Sequence, residues 1–129
     1  MVTANDESQL IQDICDIIVE KGHFKLAYIA IPDVQGKFQF LGNSGEQGYM
    51  QNLFISVNPA IPEGRGSLGT GFREDRAIYN QTFQTAPHLI PWKSKAIQFG
   101  FHSSASLPIH RGEKKMGHVI YLSRAGACF

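Results

Sequence analysis

Pro62-Glu63-Gly64-Arg65-Gly66-Ser67-Leu68-Gly69-Thr70-Gly71-Phe72-Arg73-Glu74 sets four glycines ahead of, and within, a short amphipathic turn. A phosphate-cradling loop would end in Gly-Lys-Ser/Thr after an apolar strand, and this stretch does not. Gly64, Gly66 and Gly69 do have the bare Gly-x-Gly-x-x-Gly spacing of a dinucleotide fingerprint. That fingerprint needs a continuous strand feeding the first glycine. The preceding Ser56-Val57-Asn58-Pro59-Ala60-Ile61-Pro62 is cut by two prolines, which do not sit in a central strand. The glycines therefore read as the entry to a short helix rather than as a nucleotide cradle.

At 129 residues the chain has the length of one domain, which buries roughly two thirds of the surface of its unfolded form. Twelve basic side chains face eleven acidic ones with no long run of one sign, which argues against nucleic acid or a polybasic membrane anchor as partner. Arg111, Lys114 and Lys115 cluster, but Gly112 and Glu113 among them make a solvated hairpin tip. The two cysteines, Cys15 and Cys128, match neither a disulfide scaffold nor a Cys-x-x-Cys site, the pattern of a reduced cytoplasmic protein. Cys15 lies among Ile14, Ile17 and Ile18 as a small buried hydrophobe. Met1 to Ser8 is polar, unlike a secretory leader, and the apolar run Leu26 to Ile31 falls far short of the about 20 residues that span a bilayer.

Periodicity orders the elements. Ser8 to Lys21 repeats apolar residues at helical spacing until Gly22. Phe24 to Ile31 is apolar enough for a strand covered on both faces, and Pro32 to Gly36 turns it back into Lys37 to Leu41. Gly42 to Gly48 loosens the chain before a third short strand at Leu53 to Val57. Leu68 to Arg73 predicts one or two helical turns, Ala77 to Asn80 a brief strand, and Pro87 to Phe99 a helix broken near Pro91 and ended by Gly100. Phe101 to Ile109 and Met116 to Leu122 form a second hairpin about the turn His110 to Lys114. The order implies an antiparallel sheet with helices against its faces.

Assembled in sequence, these residues resemble a GAF domain of the kind found ahead of diguanylate cyclase, cyclic-di-GMP phosphodiesterase or histidine kinase modules in bacterial signalling proteins. The resemblance spans nearly the whole chain. It rests on Ile14-Cys15-Asp16 leading to Phe24-Lys25-Leu26-Ala27-Tyr28-Ile29, on Pro62 to Gly66, and on Gly69-Thr70-Gly71-Phe72-Arg73. Pro91-Trp92, Gly100 to Ile109 and Gly117-His118-Val119-Ile120-Tyr121-Leu122 complete it. It implies an α+β fold with a central antiparallel sheet of about five or six strands, helices on one face and a pocket on the other. The implied role is a non-catalytic cytoplasmic sensor that binds a small ligand or forms a homodimer and controls an output domain on the same polypeptide. Such domains usually continue into a long closing helix, so a chain stopping at Phe129 is expected to be part of a longer multidomain protein.

Within that frame the ligand-binding candidates are Tyr28, Phe83, Trp92, Phe99 and Phe101 near the polar groups of Arg73, His102, Ser104 and Ser106. The alternative reading of the same aromatics, and the favoured one for any single ring, is core filling, and Arg73 reads alternatively as an ion-pair partner of Glu74 or Asp75. Nothing in the sequence requires a cofactor; a haem bound through His102 or His88, or a non-covalent bilin, is the alternative sensor chemistry. His102 and His110, roughly 26 Å apart along one strand, do not share a metal ion. An enzyme of the free-methionine-sulfoxide reductase type would need a thiolate and resolving thiols near the pocket, a role for which Cys15 and Cys128 are the only thiols. A third reading is a dimerisation module with a filled core. The dimer contacts expected on the first helix are Leu10, Ile14 and Ile17, and Ile14→Asp is the substitution expected to lower the dimer fraction in sedimentation.

Overall fold

The computed structural model describes residues 4–51, 53–80 and 91–124. Helix α1 (Ala4–Gly22) leads into strands β1 (Leu26–Pro32) and β2 (Phe38–Gly45), followed by a one-turn helix α2 (Gln47–Met50). A 3-10 turn at Pro62–Gly64 precedes helix α3 (Ser67–Glu74), then come β3 (Ile78–Asn80), helix α4 (Lys93–Phe99), β4 (Phe101–Arg111) and β5 (Lys114–Arg124). The five strands form one sheet in the order β2-β1-β5-β4-β3, with every pairing antiparallel. The expected α+β sheet of five or six strands is thus a sheet of five.

β1 owes its unbroken apolar run to its place. It is hydrogen-bonded to β2 on one side and β5 on the other, and Leu26 to Ala30 are all buried. Alternation along it separates two cores. Ala27 and Ile29 face α1, where Ile11, Cys15 and Val119 are buried with them and Ile14, Ile18 and Val19 pack at the margin. Leu26, Tyr28 and Ala30 face the opposite side, against Phe38, Tyr49, Leu68, Trp92, Phe101, Ile120 and Leu122. The long helix therefore lies on one face, and the short helices α2, α3 and α4 roof the other.

Local differences from the sequence reading have physical causes. β2 runs on through Gly42 to Gly45, because Gly42 lets α1 come close: a β-carbon there would lie 2.9 Å from the Ile11 side chain. Leu53 to Val57 is not a strand; a single bridge joins Ser56 to Lys37, flanked by Phe38 N–H to Ile55 O and Val57 N–H to Gly36 O. Asn58-Pro59 then turns it away from the sheet edge to cross the roofed face. α1 extends through Gly22, and it is His23, at φ 59°, that takes the left-handed turn. Gly100 ends α4 as expected, with φ 74° and its N–H on the Ala96 and Ile97 carbonyls. The hairpin of β4 and β5 closes over Gly112 and Glu113 alone, tighter than the expected five-residue turn. Pro87 to Ile90 of the expected broken helix lie outside the described residues.

Leu10 and Ile17 on α1 are exposed, at 55% and 57%, whereas Ile14 is drawn into the seam between α1 and the sheet. Ile14→Asp, expected to lower the dimer fraction, also puts a carboxylate into that seam and should lower stability by about 2 kcal/mol in urea unfolding. Leu10→Asp and Ile17→Asp should stay within about 0.5 kcal/mol of the parent and are the variants suited to a sedimentation test of association.

Candidate ligand-binding site

Between the sheet and its short helices lies a cavity of about 30 Å³. Its floor is Tyr28 from β1, Ser104 from β4 and Ile120 and Leu122 from β5; its walls are Tyr49 from α2, Ile55, Trp92, and Ser67 and Leu68 from the start of α3. Three phenol or alcohol groups besides Tyr28 thus meet a largely aliphatic and aromatic surface, the composition of a small-molecule site. Each wall is fixed by a specific contact. The Trp92 indole N–H donates to the Phe54 carbonyl at 3.1 Å, which pins the ring where the chain enters α4. Lys95 holds α4 to α2 by donating to the Tyr49 carbonyl at 3.0 Å and to that of Gln51. The Tyr49 ring stands edge-on to Phe101 at 5.0 Å, and Tyr28 to Phe40 at 5.2 Å.

α3 reaches this position because its glycines carry no side chain. A β-carbon at Gly69 would lie 2.6 Å from the Gly64 carbonyl oxygen and 2.7 Å from that of Ser56. At Gly71 it would lie 3.2 Å from Nε2 of His118, which is wholly buried on β5 beside the Phe72 ring. The glycines of this stretch thus serve close packing.

Of the residues singled out by sequence, Tyr28, Trp92 and Ser104 meet at the cavity. Ser106 lies two residues along the same face of β4, wholly buried, with its hydroxyl lacking a hydrogen-bond partner among the described residues. Phe101 is wholly buried beneath Tyr49, and Phe99 packs beside both, so these two shape the wall from behind. Arg73 is placed away from the cavity: its Nη1 donates to the Val57 and Gly64 carbonyls at 2.8 and 2.5 Å and Nη2 to Thr70 Oγ1 at 3.4 Å. Its anion-holding role and its ion-pair alternative both give way to this backbone clamp, while Glu74 pairs with Arg76 and Asp75 with His110. His102 falls at the irregularity between Phe101 and Ser103 in β4, and its side chain, like Phe83, His88 and Cys128, lies outside the described residues. Tyr49 and Ser67 were missed; only the polar-aromatic content of each segment could have flagged them.

Cys15 stands on the other face of the sheet, sealed between α1 and β1. Burial, and secondarily the neighbouring Asp16 carboxylate, push its thiol up to about 11. At neutral pH it holds little thiolate and has no path to the cavity. Among the described residues no three metal-ligating side chains gather, and no helix is long and apolar enough to cross a membrane.

Burial also raises Tyr28 well above the ordinary tyrosine value, with Tyr49 beside it adding to the shift, and raises Tyr49 itself. All three groups keep their protons in the folded chain to higher pH than in the unfolded one. Stability should therefore hold level below about pH 9 and fall as pH rises beyond it, by up to about 1.4 kcal/mol per pH unit for each group that ionises only on unfolding. Urea titrations across pH 8 to 11 check this, and Tyr49→Phe should make the alkaline slope shallower.

A sequence model described as GAF domain matches residues 4–129. No curated protein gives a significant sequence match. Among solved structures, the GAF domain region of a protein from Geobacter sulfurreducens PCA superposes with a TM-score of 0.70 at 22% identity, covering 94% of this chain and 78% of that one. NreA from Staphylococcus aureus, mutated in its nitrate binding site, gives 0.72 at 15% identity over 96% and 90%. The type II free methionine-R-sulfoxide reductase of Thermoplasma acidophilum gives 0.67 at 13% identity over 94% and 78%. At these identities the likeness is one of fold. With the family match running from α1 to the last residue, the chain belongs to the GAF domain family.

Proposed function

We propose that this GAF domain is a non-catalytic regulatory module that binds a small ligand in the cavity under α3 and passes its occupancy to an output domain on the same polypeptide, such as a cyclic-di-GMP cyclase or phosphodiesterase or a histidine kinase. The observation that carries the reading is the cavity itself, which Tyr28, Tyr49, Ser67 and Ser104 line together with apolar side chains and Trp92. Its volume suits a ligand of a few heavy atoms, since about 10–15 Å³ of such space is needed for one water. A haem or bilin would require α3 and Trp92 to move apart. The nitrate site named for the S. aureus neighbour is in keeping with a ligand of that size. A homodimer through α1 would use the exposed Leu10 and Ile17, with Ile14 behind them. Control of an output domain requires that the ligand favour one of two states of the module.

The reductase-type alternative draws on the T. acidophilum neighbour. Against it stands the position of Cys15 across the sheet from the cavity, with a thiol that ionises only near pH 11. In a Cys128→Ser variant, labelling of Cys15 by a thiol-specific disulfide reagent should be at least about 100-fold slower in the folded than in the unfolded protein. Fast native labelling together with turnover of free methionine sulfoxide would restore the enzymatic reading.

The ligand itself is tested by native mass spectrometry and absorbance on protein purified gently from its host. A bound small mass is expected in the parent and should be lost in Ser104→Leu, whose side chain fills the floor of the cavity without leaving the apolar face. Retention of the same mass in a folded Ser104→Leu protein would overturn the assignment of the site.

A further inference from the structure

On the outer side of α3 lies a second depression, an open cleft of about 450 Å³, separated from the inner cavity by Ser67, which lines both. Arg65 and Arg76 flank it, Gly66, Ser67 and Thr70 form its base, and Ala77 and Ile78 at the edge strand β3 close one side. We propose that this cleft binds an oxyanion, the carboxylate or phosphate group of a ligand, as a site distinct from the inner cavity.

Three features of the cleft support this. Arg65 is held in place rather than free to wander: Nε donates to the Pro59 carbonyl at 2.8 Å and Nη2 to that of Ala60 at 3.2 Å. Its Nη1 has no partner among the described residues, so an oriented donor remains. Arg76 bonds one carboxylate oxygen of Glu74 through Nε at 2.5 Å, which leaves both its terminal nitrogens without partners among the described residues. Arg76 thereby presents its two terminal nitrogens as a planar fork suited to carboxylate or phosphate, and Arg65 adds a single charged donor. Between the two arginines begins α3, capped by Gly66 with no side-chain acceptor on its first turn, so the positive end of the helix adds to the same field. Glu74 is the one carboxylate bonded to either arginine among the described residues, leaving the cleft with net positive charge. Arg76 is exposed, and among the described residues its side chain bonds Glu74 alone.

The test uses inorganic phosphate and, separately, acetate, followed by amide chemical shifts in ¹H–¹⁵N spectra. Saturable shifts at Gly66, Ser67 and Thr70 are expected with a Kd in the range of about 1 to 10 mM, and which salt gives the tighter curve assigns phosphate or carboxylate. Arg76→Gln should weaken binding about tenfold and reduce its dependence on ionic strength. Arg65→Gln, checked for fold by circular dichroism, should do the same. No saturable shift with either anion, or an unchanged Kd in the folded Arg76→Gln protein, would overturn the proposal. Neither result touches the inner cavity, whose own variant, Ser104→Leu, leaves the cleft intact.

Discussion

The structure turns on how closely α3 lies over the sheet. Gly69 meets the Gly64 and Ser56 carbonyls with no room for a side chain, and Gly71 rests against buried His118. That approach fixes where the Val57 to Gly64 segment crosses, and Arg73 secures it by bonding the carbonyls at both ends. Leu68 and Ser67 then form the roof of a cavity too narrow for α3 to tilt into. Any larger residue at position 69 would lift the helix, widen the cavity and loosen the arginine clamp together.

The sheet is one strand thick, and its alternation keeps two chemistries apart. Tyr28 looks into the hydroxyl-lined cavity, while Ala27 and Ile29 on either side of it look toward Cys15. The thiol in the α1 seam and the cavity lie on opposite faces of the sheet. The fold is shared with a reductase and with the GAF domain region from G. sulfurreducens, and in this chain Cys15 lies outside the cavity.

Much of the architecture was legible in the chain. The isoleucine stripe of α1, the apolar run of β1, the Gly100 stop and the closing hairpin are all periodic or punctuated features that local physics dictates. The glycine-rich stretch was read as the entry to a short helix, and α3 does begin at Ser67. Its positive role depends on what lies opposite each glycine, which only the folded chain shows. The site was half legible for the same reason. Tyr28, Trp92 and Ser104 converge, but an arginine beside acidic residues gives no sign that backbone carbonyls sixteen and nine residues earlier will claim it. Segment 53–57 has strand composition, yet among the described residues it meets β2 only through the bridge of Ser56 to Lys37 and the two backbone bonds beside it.

The place of β1 between β2 and β5 also sets an order of events during folding. Its β2 partner arrives through a short turn, but its β5 partner does not: Leu26 pairs with Leu122, far along the sequence. Closing so long a loop precedes any reward from the pairing, which slows folding relative to proteins built from local contacts. Until β5 docks, α1 has no Val119 to pack on and the apolar edge of β1 stands open. During synthesis that edge waits for β5 to emerge, a period in which chaperones would govern yield.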